Sequence, residues 1–152
     1  MKSFSFVILC LFFIICCSKQ QIDIDSFNIL IEDDVHRVDF INGVYEVFDQ
    51  SASFKPSKED IEKVVNYLYE NDALLKNKDK DFCSYIHSLP VLTTKITIVN
   101  KGATSIITYC DPCYYPFNFI TVAKADKLVT MIENICHKNE NVRKLPSDFY
   151  LE

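Results

Sequence analysis

The sequence predicts an α+β domain, an antiparallel sheet of about five to six strands with two main helices packed on one face. Three observations predict it. Residues 35–41 read as an extended strand, with Val35, Arg37 and Asp39 on one side and His36, Val38 and Phe40 on the other. Asn42-Gly43 and Asn100-Lys101-Gly102 sit between β-prone runs and carry the residues that hairpin turns need. Two stretches, one after Pro56 and one after Ala123, repeat apolar residues at helical spacing. The element order is β-β-β-α-β-β-α.

The first strand is expected at Phe27–Glu32 and the second at Val35–Ile41. Asn42-Gly43 between them and Val44–Phe48 predicts a type I′ turn, which needs positive φ at both positions. Pro56-Ser57-Lys58-Glu59-Asp60 opens a helix, with Ser57 as cap and Asp60 three residues on, a capping box with Asp in place of Glu. Ile61, Val64, Val65, Leu68 and Tyr69 give this helix one apolar stripe, and it should end near Asn71. A short helix is expected around Asp79–His87, stopped by Pro90. Thr93–Val99 and Ala103–Cys110, rich in Ile and Thr, form a second hairpin. A short strand at Phe119–Val122 precedes the last helix, Lys124–His137, with Leu128, Met131, Ile132, Ile135 and Cys136 on its apolar side.

The chain of 152 residues has room for one domain. Its formal charge is −5, and removing Lys2 with residues 1–16 takes it to −6. An acidic domain without a basic block does not suit nucleic acid, where neutralising phosphates supplies much of the affinity. Lys2 followed by the apolar run Phe4–Ile15 is too short for a membrane span, which needs ~20 residues, and reads as an export signal. The polar switch follows at once, in Cys16-Cys17-Ser18-Lys19. Ile14-Ile15-Cys16-Cys17 resembles a bacterial lipobox, with an aliphatic residue at −3, a small one at −1 and Cys17 as the acylated first residue. Cys16 at −1, where the pattern has Gly, Ala or Ser, departs from it. The alternatives are ordinary signal cleavage after Ser18 and an uncleaved anchor.

Cys-Ser-Lys after an apolar run, then a strand-rich start, a Ser-Lys-Glu-Asp helix, a hairpin and a C-terminal helix, resembles small uncharacterised lipoproteins of the Bacteroidota type. The resemblance implies a signal peptide over 1–16, a tether over 17–25 and a single α+β domain over 26–152, anchored to the cell envelope by the acyl chains on Cys17. Ser18 is not the Asp that retains lipoproteins in the inner membrane, so the outer membrane is expected.

Four cysteines remain in the mature domain: Cys83, Cys110, Cys113 and Cys136. In an exported domain an even set suits two structural disulfides, with three connectivities open. Cys83 and Cys136 each reaching one end of the 110–113 loop is the pairing favoured here. Cys136 as a buried thiol on the apolar helix face is the alternative. Cys110-Asp111-Pro112-Cys113 also has redox-motif spacing. However, Pro116 would fall inside a helix starting there, and no βαβ unit surrounds it. Cys83, His87, Cys110, Cys113, Cys136 and His137 together offer enough ligands for zinc, in a spacing unlike common zinc ribbons. Glu32-Asp33-Asp34 lacks the periodic oxygens of a calcium loop and reads as a solvated turn. Tyr114, Tyr115, Phe117 and Phe119 crowd one loop, as a core contribution or as an exposed grip for a glycan or protein. His36, His87 and His137 are dispersed, and Ser84 near His87 forms no recognisable triad.

These readings converge on a non-enzymatic envelope lipoprotein that binds a protein partner or serves an accessory role, with no cofactor, metal or nucleic acid. A thiol or metal protein using Cys110 and Cys113, and an inhibitor or immunity lipoprotein, are the alternatives.

Overall fold

The computed structural model describes residues 24–76, 79–83, 92–111 and 119–146. They form an α+β domain around one seven-stranded sheet, mostly antiparallel. A 3-10 turn at Ile24–Ser26 leads into β1 (Phe27–Glu32), then β2 (His36–Asp39), β3 (Val44–Val47) and β4 (Gln50–Ser53). Two helices follow, α1 (Lys58–Glu70) and the single turn α2 (Ala73–Lys76). The chain continues through β5 (Lys80–Asp81), β6 (Leu92–Asn100) and β7 (Ala103–Asp111) to α3 (Phe119–Cys136) and the short α4 (Glu140–Arg143). In space the strands lie in the order β4-β3-β2-β1-β6-β7-β5. β1 is therefore central, and β5 pairs with β7 in parallel at one edge.

Period-2 alternation builds the core face. Ile29 pairs with Ile98, Ile31 with Ile96 and Val38, Val38 with Tyr45, and Ile96 with Ile107, so these side chains share one side of the sheet. All are buried. Both long helices cover that side. Tyr69 of α1 meets Phe27 edge-on at 5.7 Å between ring centroids, and His137, just past α3, meets Tyr45 at the same 5.7 Å. The helices also touch each other, through Tyr67, whose hydroxyl donates to the Lys124 carbonyl at 3.0 Å. Burial raises the Tyr67 pKa, so this phenol stays a donor.

The capping box forms as expected. Ser57 Oγ accepts from the Asp60 amide at 3.0 Å, the Asp60 carboxylate accepts from the Ser57 amide, and the helix ends with Asn71 as C-cap. The second hairpin also forms, with Lys101 at φ 49 and Gly102 at φ 79, the paired positive values of a type I′ turn.

Four expectations are corrected. The first hairpin is not a two-residue turn on Asn42-Gly43. Residues 40–43 form a four-residue loop in which Gly43 alone has positive φ, at 69. Asp39 selects that loop, because its carboxylate accepts from the Asn42 amide at 3.2 Å and from Asn42 Nδ2 at 2.9 Å. Residues 119–122 are the first turn of α3 and not a strand. Their β-branched side chains favour extension, but Val122 continues the buried helical stripe Ala125, Leu128, Val129, Ile132, and burial overrides propensity. Where a helix was expected from Asp79, Lys80–Asp81 is a strand along β7; residues 84–87 lie outside the described residues. Finally, β4 and β5 are edge strands that the sequence reading did not contain.

Candidate functional site

With both long helices on one side, the described helices do not cover the opposite sheet face, although Cys110, on the rung beyond Thr108, is buried there, and that face carries an ordered row of charge. Across the strands, Ser51 pairs with Glu46, Glu46 with Arg37, Arg37 with Glu32, Glu32 with Lys95, Lys95 with Thr108, and Thr108 with Asp81. One rung therefore crosses all seven strands. Its centre alternates in sign, as Glu46, Arg37, Glu32, Lys95. Arg37 Nη1 lies 3.3 Å from Glu46 Oε2, Arg37 Nε 3.6 Å from Glu32 Oε1, and Lys95 Nζ 3.9 Å from Glu32 Oε2. The four side chains remain partly solvent-exposed, so each pair contributes at most ~1 kcal/mol to folding.

The next rung is less polar: Ser53, Val44, Asp39, Leu30, Thr97 and Ile106. Beyond it, Asn28, Val99 and Thr104 form a third. Leu30, Val44, Val99 and Ile106 are half-buried, against full burial for the isoleucines on the helix side. This face is a surface of mixed polarity, suited to a protein contact more than to a small molecule.

The cysteines separate. β5 and β7 run in parallel with Asp81 opposite Thr108, and Phe82 N–H donates to the Thr108 carbonyl at 2.8 Å. Two residues beyond each partner, Cys83 and Cys110 stand beside one another at the end of these strands. Cys110 is 1% exposed. Cys136 lies elsewhere, at the C-terminal end of α3, next to the His137 that packs on Tyr45 of β3. Three strands separate β3 from β7, about 19 Å at ~4.8 Å per strand. A disulfide needs Cα atoms within about 7 Å. Burial, with help from Glu133, pushes the Cys136 thiol up to about 12, as befits an inert core side chain. Cys17, Cys113, Ser84, His87, Tyr114, Tyr115 and Phe117 lie outside the described residues.

Asp33 and His36 form a closed local unit. Asp33 Oδ1 accepts from the Val35 and His36 amides at 2.7 and 2.6 Å, and His36 Nδ1 lies 3.1 Å from Oδ2. Burial works against ionisation of Asp33, but the His36 side chain and the two amides outweigh it and hold its pKa below the usual aspartate range. The acidic stretch is thus a turn in which Asp33 serves the backbone and Glu32 serves the ladder. Among the described residues, no group of three or more His, Cys, Asp or Glu side chains is arranged to hold a metal ion. A cleft of about 210 Å³ between the start of α1 and the end of α3 is lined by Phe54, Pro56, Ser57, Asp60, Ile135 and Lys138. Two of its charges pair with each other, Lys138 Nζ lying 3.1 Å from Asp60 Oδ1, and Lys55 also lines it.

No protein-family model, curated protein or solved structure matches the chain. Among the described residues, no helix is long and apolar enough to cross a membrane, which says nothing of a β-barrel.

The sequence reading did not find the ladder. Its signal was present as one polar residue in each strand at a position of the period-2 alternation that faces away from the core. The register that aligns those residues into one row is set by strand order, which the sequence does not display.

Proposed function

We propose that this chain is a lipid-anchored protein of the bacterial cell envelope, the outer membrane being the preferred site, and that its domain binds a protein partner through the open face of its sheet. The observation that carries the binding half is the contrast between the two faces. One is covered by α1 and α3, while the other presents rungs of mixed polarity with its charges in order. The anchoring half rests on the Phe4–Ile15 run and the Cys17 that follows it.

The thiols serve structure in this reading. Cys83 bonds to the Cys110–Cys113 segment, which its place beside Cys110 supports, and Cys136 stays a buried thiol. Such a bond staples the two-residue edge strand β5, adding to its pairing with β7 and to buried Phe82, and typically contributes ~2–4 kcal/mol.

Intact mass of the protein from its native membrane, alkylated with and without prior reduction, tests both halves of the chemistry. The expected species starts at Cys17, carries a diacyl or triacyl increment, and holds Cys83 unmodified until reduction. A chain starting at Lys19 without acyl groups would refute the anchor. Cys83 alkylated without reduction would refute the staple.

A further inference from the structure

The charge ladder has a symmetry that selects a partner. Read across β3, β2, β1 and β6 it runs minus, plus, minus, plus, through Glu46, Arg37, Glu32 and Lys95. Reversing that order exchanges every sign. We propose that the open face pairs with a second copy of this chain, about a two-fold axis parallel to the strands and passing between β1 and β2. The proposal rests on the open face being the binding surface and adds what binds there.

Under that rotation β2 faces β1 of the second copy, β3 faces β6 and β4 faces β7. Arg37 then meets Glu32 of the second copy, and Glu46 meets Lys95. All four contacts across the axis join opposite charges. A two-fold axis along the rung would instead stack Glu46 on Glu46 and Arg37 on Arg37. The ladder therefore fixes the orientation as well as permitting the contact, as charge patterns do at specific interfaces. Stacked sheets lie ~10 Å apart with aligned strands, a gap that one extended Glu and one Lys or Arg side chain span together. The second rung adds Val44 against Thr97 of the second copy and Ser53 against Ile106. Asp39 keeps its two bonds to Asn42 and needs no new partner.

Charge also says why this face and not another. The chain carries −5, so most of its surface repels a second copy. The four central charges of the ladder sum to zero, so among the described residues the negative charge of this face comes only from Asp39 and from Asp81 at its edge. The six strands from β4 to β7 span ~29 Å and the two rungs that all six share cover ~14 Å, giving roughly 400 Å² per copy. Stable complexes bury ~800 Å² per partner, so this association is weak and reversible.

Sedimentation equilibrium of the full chain in density-matched detergent tests it, at loading concentrations from about 5 to about 500 µM to bracket a micromolar Kd. Wild type should show a monomer–dimer equilibrium. Lys95→Glu should weaken it about tenfold or more, by placing like charges across the axis. Lys63→Glu, the same charge change on the exposed side of α1, should leave it within about twofold, as an ordinary surface substitution. Glu46→Lys combined with Lys95→Glu should restore the dimer. Within each chain that double exchange puts a cation beside Arg37 and a carboxylate beside Glu32, so only a contact between copies gains from it. A monomer throughout the range, a dimer indifferent to Lys95→Glu, or no restoration by the double exchange would each overturn the proposal. The ladder pairs are exposed and weak, so all variants should keep the wild-type circular dichroism spectrum. The readout does not depend on acylation, so its failure is separate from failure of the lipid anchor.

Discussion

Gly43→Ala should be among the most damaging single-methyl changes in this chain, and its cost follows from two separable terms. Gly43 has φ +69, where an L side chain is strained by about 1–2 kcal/mol. A Cβ there would also stand 1.9 Å from the Phe54 carbonyl oxygen, which is backbone and not a flexible side-chain tip. The two segments must part, and parting them loosens the Phe54 N–H···O=C Gly43 bond of 2.8 Å, worth about 1 kcal/mol. It also disturbs Phe54, which is buried with its ring 6.4 Å from that of Phe40. Strain and the loosened bond sum to about 2–3 kcal/mol, to which the disturbance of Phe54 adds, before a gain of ~0.4–1 kcal/mol from restricting the unfolded chain. Gly102→Ala is the matched control. Gly102 has φ +79, but a Cβ there meets nothing within 4 Å, so only the strain term applies. The unfolded-state gain is common to both and cancels in the comparison. Urea unfolding should place Gly43→Ala at least ~1 kcal/mol below Gly102→Ala, a difference of roughly 4 °C or more in Tm for a domain of this size. Equal losses in the two variants would refute the close approach of Gly43 to Phe54.

Ser105 is 2% exposed and donates to the Leu74 carbonyl at 2.6 Å, tying α2 to β7. Ser105→Ala leaves that carbonyl unsatisfied and should cost ~1–3 kcal/mol by urea unfolding, whereas a loss below ~0.5 kcal/mol would speak against the tie. The depressed pKa of Asp33 makes stability that is present above the usual aspartate range, near pH 4, and lost as pH falls through the lower folded value. Asp33→Asn should therefore destabilise the protein at pH 7 and flatten its acid limb; an unchanged slope between about pH 4 and pH 2 would contradict the His36–Asp33 geometry. Phe48, 54% exposed at φ 52, occupies a backbone conformation that suits glycine. Phe48→Gly should be neutral or stabilising by up to ~1 kcal/mol, and a loss above 1 kcal/mol would mean that the ring packs on something. Cys136, with its thiol raised to about 12, should resist iodoacetamide in the native state and react at once in 6 M urea or stronger denaturant, read by peptide mass.

What the sequence determined by itself is what neighbouring residues decide between them. Ser57 and Asp60 are three apart and make the capping box whatever surrounds them. Lys101-Gly102 makes its turn because two positive φ values close a two-residue hairpin. β1 and the buried stripe of α1 follow from spacing, since period 2 or 3.6 puts most of the apolar side chains on one side, Leu30 of β1 being the exception. The α+β class follows from the order of those elements. Tertiary structure decided everything that depends on a partner far along the chain. Gln50-Ser51-Ala52-Ser53 has no strand signature and is a strand only because β3 offers it a ladder. Lys80–Asp81 owes its strand to β7 in the same way. Residues 119–122 have strand propensity and become helix because Val122 has a core to enter. Asn42 lost its expected turn to Asp39, a contest among neighbours that the Asn-Gly pair alone does not reveal. The open face and its ladder belong wholly to this second class. Each of Glu32, Arg37, Glu46 and Lys95 reads singly as an ordinary exposed charge. Only the insertion of β1 between β2 and β6 lines them up, because hydrogen-bond register between distant segments, and not local sequence, sets which side chains become neighbours across a sheet.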